Sequence, residues 1–199
     1  GTVSESDTFS VRPYPRVDFG IDSLQGCSPL RVRFSNTTKG RPTSFLWDMG
    51  NGITSTDSLP SAQTYTTNDT TITQYKIRLI ALNDCGVDTL DRWVKVFPPN
   101  VRAFIESPQN DVCQYDSLTF LAYSTPGATN TWQIVSPTGK VAGISGDTAV
   151  IRFEESGRYK ILLYAANCGV HADSAYVDVI AAPQLSFGIP EFACMNDSV

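Results

Sequence analysis

The sequence holds a single histidine, His171, and two methionines in 199 residues. Its five cysteines include no C-x-x-C pair. These shortages leave no ligand set at zinc spacing, so no metal centre is expected. Charge is scarce too: Asp, Glu, Lys and Arg make up 18%, and the balance is −5 with a pI near 4.8. Nucleic-acid binders need clustered positive charge, so this balance argues against such a partner. No apolar run approaches the about 18–20 residues that cross a membrane, and no membrane insertion is expected within this sequence. No charged leader followed by an apolar stretch reads as a signal peptide. G-x-S-x-G and H-E-x-x-H are missing, as is any paired nucleophile and base. The expectation is a protein that is not an enzyme.

Long amphipathic helices are missing as well; no 3.6-residue stripe with caps runs through the chain. Short alternating runs stand in their place: Val17-Asp-Phe-Gly-Ile21, Leu30-Arg-Val-Arg-Phe34, Tyr75-Lys-Ile-Arg-Leu79, Val150-Ile-Arg-Phe153 and Tyr159-Lys-Ile-Leu-Leu163. Turn formers such as Thr38-Lys-Gly40, Gly50-Asn-Gly52 and Ser156-Gly157 separate them. Ser and Thr make up about a fifth of the residues, which suits strands and turns. Many short strands at regular spacing predict an all-β sandwich or barrel.

The pattern repeats. Tyr75-Lys-Ile-Arg-Leu-Ile-Ala-Leu-Asn-Asp-Cys-Gly-Val87 returns as Tyr159-Lys-Ile-Leu-Leu-Tyr-Ala-Ala-Asn-Cys-Gly-Val170. Trp47 returns as Trp132, Phe19 as Phe104 and Phe187, and Cys27 as Cys113 and Cys194. Phe9-Ser-Val11 through Pro15 matches Val177-Asp-Val179 through Pro183. A period of about 84 residues is close to one seven-stranded sandwich. The expected organisation is the last strand of a preceding repeat at 1–14, sandwiches at 15–98 and 99–182, and the start of a following repeat at 183–199. On this reading the sequence is a segment of a longer tandem array. Its proline-bearing junctions, Phe97-Pro-Pro-Asn100 and Ala181-Ala-Pro183, act as stiff connectors.

Within the first repeat, Ser44-Phe-Leu-Trp-Asp-Met-Gly-Asn-Gly52 places Phe45, Trp47 and Met49 on one face of a strand. Gly50-Asn-Gly52 then supplies a tight turn; with no Lys-Ser/Thr following, a phosphate loop is disfavoured. Trp47-Asp-Met-Gly-Asn-Gly52 resembles the W-D-F-G-D-G signature of PKD domains, the polycystic-kidney-disease type of immunoglobulin-like sandwich. Ser28-Pro-Leu-Arg-Val-Arg-Phe-Ser-Asn36, Gln63-Thr-Tyr65 and Tyr75-Lys-Ile-Arg-Leu79 match strands B, E and F of that family. Asn51 departs from the usual Asp, and the connection Thr66–Gln74 is long. The second repeat keeps Trp132, Ser156-Gly-Arg-Tyr159 and Asn167-Cys-Gly169, but lacks the signature.

Gly26-Cys27 and Asp84-Cys-Gly86 also resemble PKD-type repeats of Bacteroidota surface proteins, and secreted β-modules favour disulfides. In this topology strands B and F run the same way, so the A–B and F–G loops lie at opposite poles. A strand of seven or eight residues spans roughly 25 Å, whereas bridged Cα atoms lie within about 7 Å. A bond between Cys27 and Cys168 across the junction is therefore favoured, with Cys85, Cys113 and Cys194 paired outside the segment. The alternative is Cys27–Cys85 with Cys113–Cys168.

Nine of the fifteen aspartates precede Ser or Thr, far above what composition gives. Turn chemistry explains such pairs. They also resemble the D-S/T-hydrophobic O-glycosylation acceptor of Bacteroidota, with attachment at Ser23, Ser58, Thr70, Thr89, Ser117, Thr148, Ser174 and Ser198. Asp84, Asp88 and Asp91 are the nearest set for calcium, though without a D-x-D-x-D-G loop; no other cofactor is indicated. Trp93 and Tyr176 lie out of phase with Val94/Val96 and Val177/Val179, and face outward as ligand-stacking aromatics on that phase. The resemblance implies an extracellular spacer in a cell-surface adhesin of the gliding-motility type, exported by the type IX system. Its partners would be neighbouring repeats, and surface polysaccharide or other cell-surface proteins. The competing expectation is carbohydrate- or protein-binding modules beside a secreted hydrolase.

Overall fold

The computed structural model describes residues 12–184, Asp69 and Pro108 excepted. Among the described residues it contains strands and no helix. In the first repeat these are β1 (Phe19–Ile21), β2 (Gln25–Cys27), β3 (Leu30–Val32), β4 (Phe34–Asn36), β5 (Ser44–Asp48), β6 (Thr54–Ser55), β7 (Gln63–Tyr65), β8 (Thr73–Asn83) and β9 (Gly86–Phe97). One sheet runs β2-β9-β8-β5-β6; the opposite layer consists of the pairs β1-β4 and β3-β7. Strands β1 and β4, β3 and β7, β5 and β6, β5 and β8, and β8 and β9 pair antiparallel, whereas β2 and β9 run parallel with Cys27 opposite Phe97.

The alternation in β5 builds the core. Trp47 and Met49 are fully buried, while Leu46 and Asp48 face solvent. Phe19, Val32, Phe34 and Tyr65 from one layer meet Trp47, Ile77, Leu79, Val94 and Val96 from the other. Phe19 sits edge-on to Trp47 at 5.1 Å, a favoured aromatic geometry. The indole Nε1 donates to the Asp57 carbonyl at 3.0 Å, so the buried ring leaves no polar atom unpaired. Tyr65 likewise donates its hydroxyl to the Met49 carbonyl at 2.9 Å. Burial pushes that hydroxyl's pKa up, with the Asp48 and Tyr75 charges adding to it.

β5 ends because the chain must turn. Gly50 has φ +70°, and a Cβ there would stand 2.3 Å from the Lys76 carbonyl oxygen. Asp48 Oδ1 accepts the Gly50 N–H at 2.9 Å, and Asn51 Oδ1 accepts that of Ile53 at 3.2 Å. A side-chain oxygen is what the turn uses at position 51, and Asn supplies one as well as Asp does.

The second repeat holds β10 (Ala103–Glu106), β11 (Asp111–Cys113), β12 (Ser117–Ser124), β13 (Thr129–Val135), β14 (Val141–Ser145), β15 (Thr148–Arg152), β16 (Gly157–Ala166) and β17 (Val170–Ile180). Its sheets run β10-β12-β15 and β11-β17-β16-β13-β14, with β11 parallel to β17. Trp132 is buried and donates Nε1 to the Gly146 carbonyl at 2.8 Å, as Trp47 does to Asp57. Phe104 differs from Phe19: it is 57% exposed and stacks on Tyr123 at 5.0 Å, while its neighbour Ala103 points inward. A shift of one residue along a strand exchanges its faces.

The chain divides into two compact units. One takes in Gly1–Ala103 with Ser124–Asn130 and Tyr164–Ala172; the other takes in Phe104–Tyr123, Thr131–Leu163 and Asp173–Val199. The turn between β16 and β17 thus groups with β1 to β9. No helix among the described residues is long and apolar enough to cross a membrane.

Candidate functional site

The feature that stands out is a disulfide inside the first unit. Cys27 ends β2, where Ser28 N–H donates to the Phe97 carbonyl at 2.9 Å and fixes the end of that strand against β9. Cys168 lies in the turn between β16 and β17, closed by Asn167 N–H on the Gly169 carbonyl at 3.0 Å. The two cysteines are bonded, with Cα atoms 5.5 Å apart and 141 residues of sequence separation. That spacing is ordinary for a disulfide. Closing so long a loop stabilises a fold by up to about 5 kcal/mol in the chain-entropy account.

Non-covalent contacts join other segments of the same unit. Arg102 N–H donates to Thr125 Oγ1 at 2.8 Å, and the Arg102 carbonyl accepts from Thr125 N–H at 2.9 Å and from its hydroxyl at 3.4 Å. His171 Nδ1 accepts the Ala103 N–H at 3.2 Å. Gly127, at φ +85°, lies against Phe97, and an added Cβ would stand 2.9 Å from the ring.

Cys85 and Cys113 are free, exposed thiols. Cys113 ends β11 opposite Ile180, and Gln114 N–H donates to the Ile180 carbonyl at 2.8 Å. This is the arrangement of Cys27 and Ser28 on Phe97. Cys85 lies in the turn between β8 and β9, the counterpart of the turn that carries Cys168. Its Sγ is 3.5 Å from the Arg12 carbonyl. Cys194 lies outside the described residues.

The aspartates of the Asp-Ser/Thr pairs have structural work. Asp88 Oδ2 accepts the Val17 N–H at 2.7 Å and Oδ1 the Thr89 N–H at 2.8 Å. Asp173 repeats this with Ile105 and Ser174, both at 2.8 Å. The Val17 and Thr89 bonds hold the Asp88 carboxyl below its ordinary range. Asp22 Oδ1 accepts the Arg33 N–H at 2.9 Å, where strand B breaks between β3 and β4. Of the associated hydroxyl residues, Ser58, Thr70, Thr89, Ser117, Thr148 and Ser174 are exposed and Ser23 is half-buried. Ser198 lies outside the described residues.

The three aspartates considered for calcium do not share a site. Asp84 pairs with Arg12, Asp88 receives backbone N–H groups, and Asp91 accepts Lys76 and Arg78 at 2.7 Å each. The two cations hold the Asp91 carboxyl well below the usual carboxylate range, Arg78 foremost. No cluster of three metal-ligating side chains occurs among the described residues.

Trp93 is 53% exposed, with Lys76 Nζ 5.9 Å from its ring; Tyr176 is 44% exposed, with the Arg158 guanidinium at 4.6 Å. Two features have weaker sequence signals. One is the Phe104–Tyr123 stack, visible only once the phase of β10 is known. The other is a cleft of about 500 Å³ in the second unit, beside Ile134, Ile144, Ile151 and Tyr159. It depends on the spacing of β14 and β15, which no local pattern sets.

No family model matches the chain. Over 99 residues, 49% of the chain, it is 31% identical to the pre-pro-metalloprotease PrtV of Vibrio cholerae serotype O1, and the match covers 10% of PrtV. The chain thus spans about a tenth of the length of the curated relatives it matches. It is similar to the PKD1 domain of the Vibrio cholerae metalloprotease PrtV, at 30% identity over 43% of this chain and 98% of that one, with a TM-score of 0.29. It is also similar to the PKD1 domain of Vibrio anguillarum Epp, at 24% identity over 43% of this chain and 96% of that one, with a TM-score of 0.33. The fold is all-β, built of immunoglobulin-like sandwiches with PKD-type likeness in part of the chain.

Proposed function

We propose that this chain is a non-catalytic run of PKD-type sandwiches from a large cell-surface adhesin, serving as a stiff stalk that presents a binding region. The Cys27–Cys168 bond carries the reading. A covalent tie across 141 residues limits how far tension at the chain ends can draw the protein out. Disulfides persist in oxidising surroundings, in keeping with an extracellular place. Repeats bounded at 15–98 and 99–182, type IX export, and a role in gliding or attachment belong to the same proposal. So do glycans on the Asp-Ser/Thr hydroxyls: the protein from its native host would weigh more than its sequence, and a matching mass would remove glycans from the account.

A second reading is favoured by one observation. Trp93 and Tyr176 hold equivalent places on β9 and β17, and both are exposed beside cations. Such aromatics suit sugar stacking or protein contact in accessory modules of a hydrolase, and the partial match is to a metalloprotease. A glycan array probed with the chain and with Trp93→Ala separates the two. The stalk predicts no binding by either protein. Binding that Trp93→Ala abolishes would replace the stalk with the module.

A further inference from the structure

Cys85 and Cys113 occupy the two positions that Cys168 and Cys27 hold in the closed disulfide. Cys113 has the register of Cys27: each stands opposite the residue that closes the last long strand of its repeat, Ile180 or Phe97, and the next residue donates its N–H to that carbonyl. Cys85 has the position of Cys168 in the F–G turn. A separate observation concerns Arg12. The sequence repeat aligns Val11-Arg12 with Val96-Phe97 and Val179-Ile180. Arg12 is therefore the residue opposite which a cysteine of the Cys27 type would pair. The Cys85 sulfur lies 3.5 Å from its carbonyl oxygen. Cys27, opposite Phe97, is bonded to Cys168; a cysteine opposite Arg12 would meet Cys85 in the same way.

We infer that Cys85 and Cys113 are half-sites of one repeating staple. Cys113 takes the F–G-turn cysteine of one further PKD-type repeat, and Cys85 takes the β2-end cysteine of another. The partner is a repeat of like chemistry, not a small thiol or a metal. The bond forms by thiol–disulfide exchange with a small-molecule disulfide oxidant. The oxidant accepts two electrons and the two cysteine protons and leaves as two thiols, while one sulfur–sulfur bond forms between the cysteines. Each repeat then gives one cysteine forward and one back, so the pairing propagates without closing on itself.

This inference rests on the stalk reading, and its test is separate from that reading's. The protein is isolated from its native source without reduction, its free thiols are blocked, and its disulfide-linked peptides are mapped by mass spectrometry. The expected result is a Cys113 peptide joined to one carrying a turn cysteine before Gly, and a Cys85 peptide joined to one carrying a cysteine before a strand B. Either thiol found blocked as free, capped by glutathione, or joined as Cys85–Cys113 within one chain would overturn it. A stalk that binds no glycan but has free Cys85 and Cys113 would lose the relay and keep the stalk.

Discussion

At the scale of the residue, Trp47 holds the core of the first repeat and Gly50 the turn that follows it. Trp47 fills the space between the layers, and its one polar atom is satisfied by Asp57. Replacing it by Ala removes the ring and leaves a void, a change that costs about 3–5 kcal/mol in a core. Trp47→Ala should therefore shift urea unfolding to much lower midpoints, while Trp93→Ala, on the surface, should leave the midpoint nearly unmoved. Equal shifts would show that Trp47 is not the centre of the core. Gly50 is needed for two reasons that act together: φ of +70° and a carbonyl 2.3 Å from where a Cβ would be. Gly50→Ala should destabilise by about 1–3 kcal/mol, the usual cost of local backbone strain. Gly52, with open space around it, should tolerate Ala better.

At the scale of the element, the strands are held by carboxylates as well as by the ladders between them. Asp88 ties the chain entering β1 to β9, and Asp173 ties the interior of β10 to β17. Asp88 and Asp91 both titrate lower in the fold than an ordinary Asp. Their ionised forms therefore stabilise the fold at neutral pH, and that contribution is lost as pH falls through and below the ordinary Asp range, near about 4. Unfolding midpoints measured from about pH 6 down to about pH 2 should fall, and Asp88→Asn should lower the neutral value and flatten the decline. A variant with the same slope as the parent would take Asp88 out of the account. The same elements show what a sequence displays. Phe45, Trp47 and Met49 announce their face because a strand has period two. The crossing of the chain from β1 in one layer to β2 in the other does not announce itself. Gln25–Cys27 is short and buries no side chain, and only its pairing with Lys95–Phe97 identifies it as β2. Phe104 misleads for another reason: it repeats Phe19 in sequence, yet a one-residue shift in β10 turns it to solvent beside Tyr123. The partners of Asp84, Asp88 and Asp91 are equally hidden, since Asp84 lies in the turn before β9 while Asp88 and Asp91, three residues apart on that strand, fall on opposite faces.

At the scale of the whole molecule, the account depends on one covalent tie within a chain of repeated sandwiches. The most direct test stretches single molecules held at their ends, first oxidised and then with a reductant that opens Cys27–Cys168. At about 3.4 Å per residue, the 141 residues spanned by the bond correspond to roughly 480 Å of hidden length. The account predicts that the oxidised chain lacks this length, and that reduction or Cys27→Ser releases it. Equal full extension with and without reductant would contradict it.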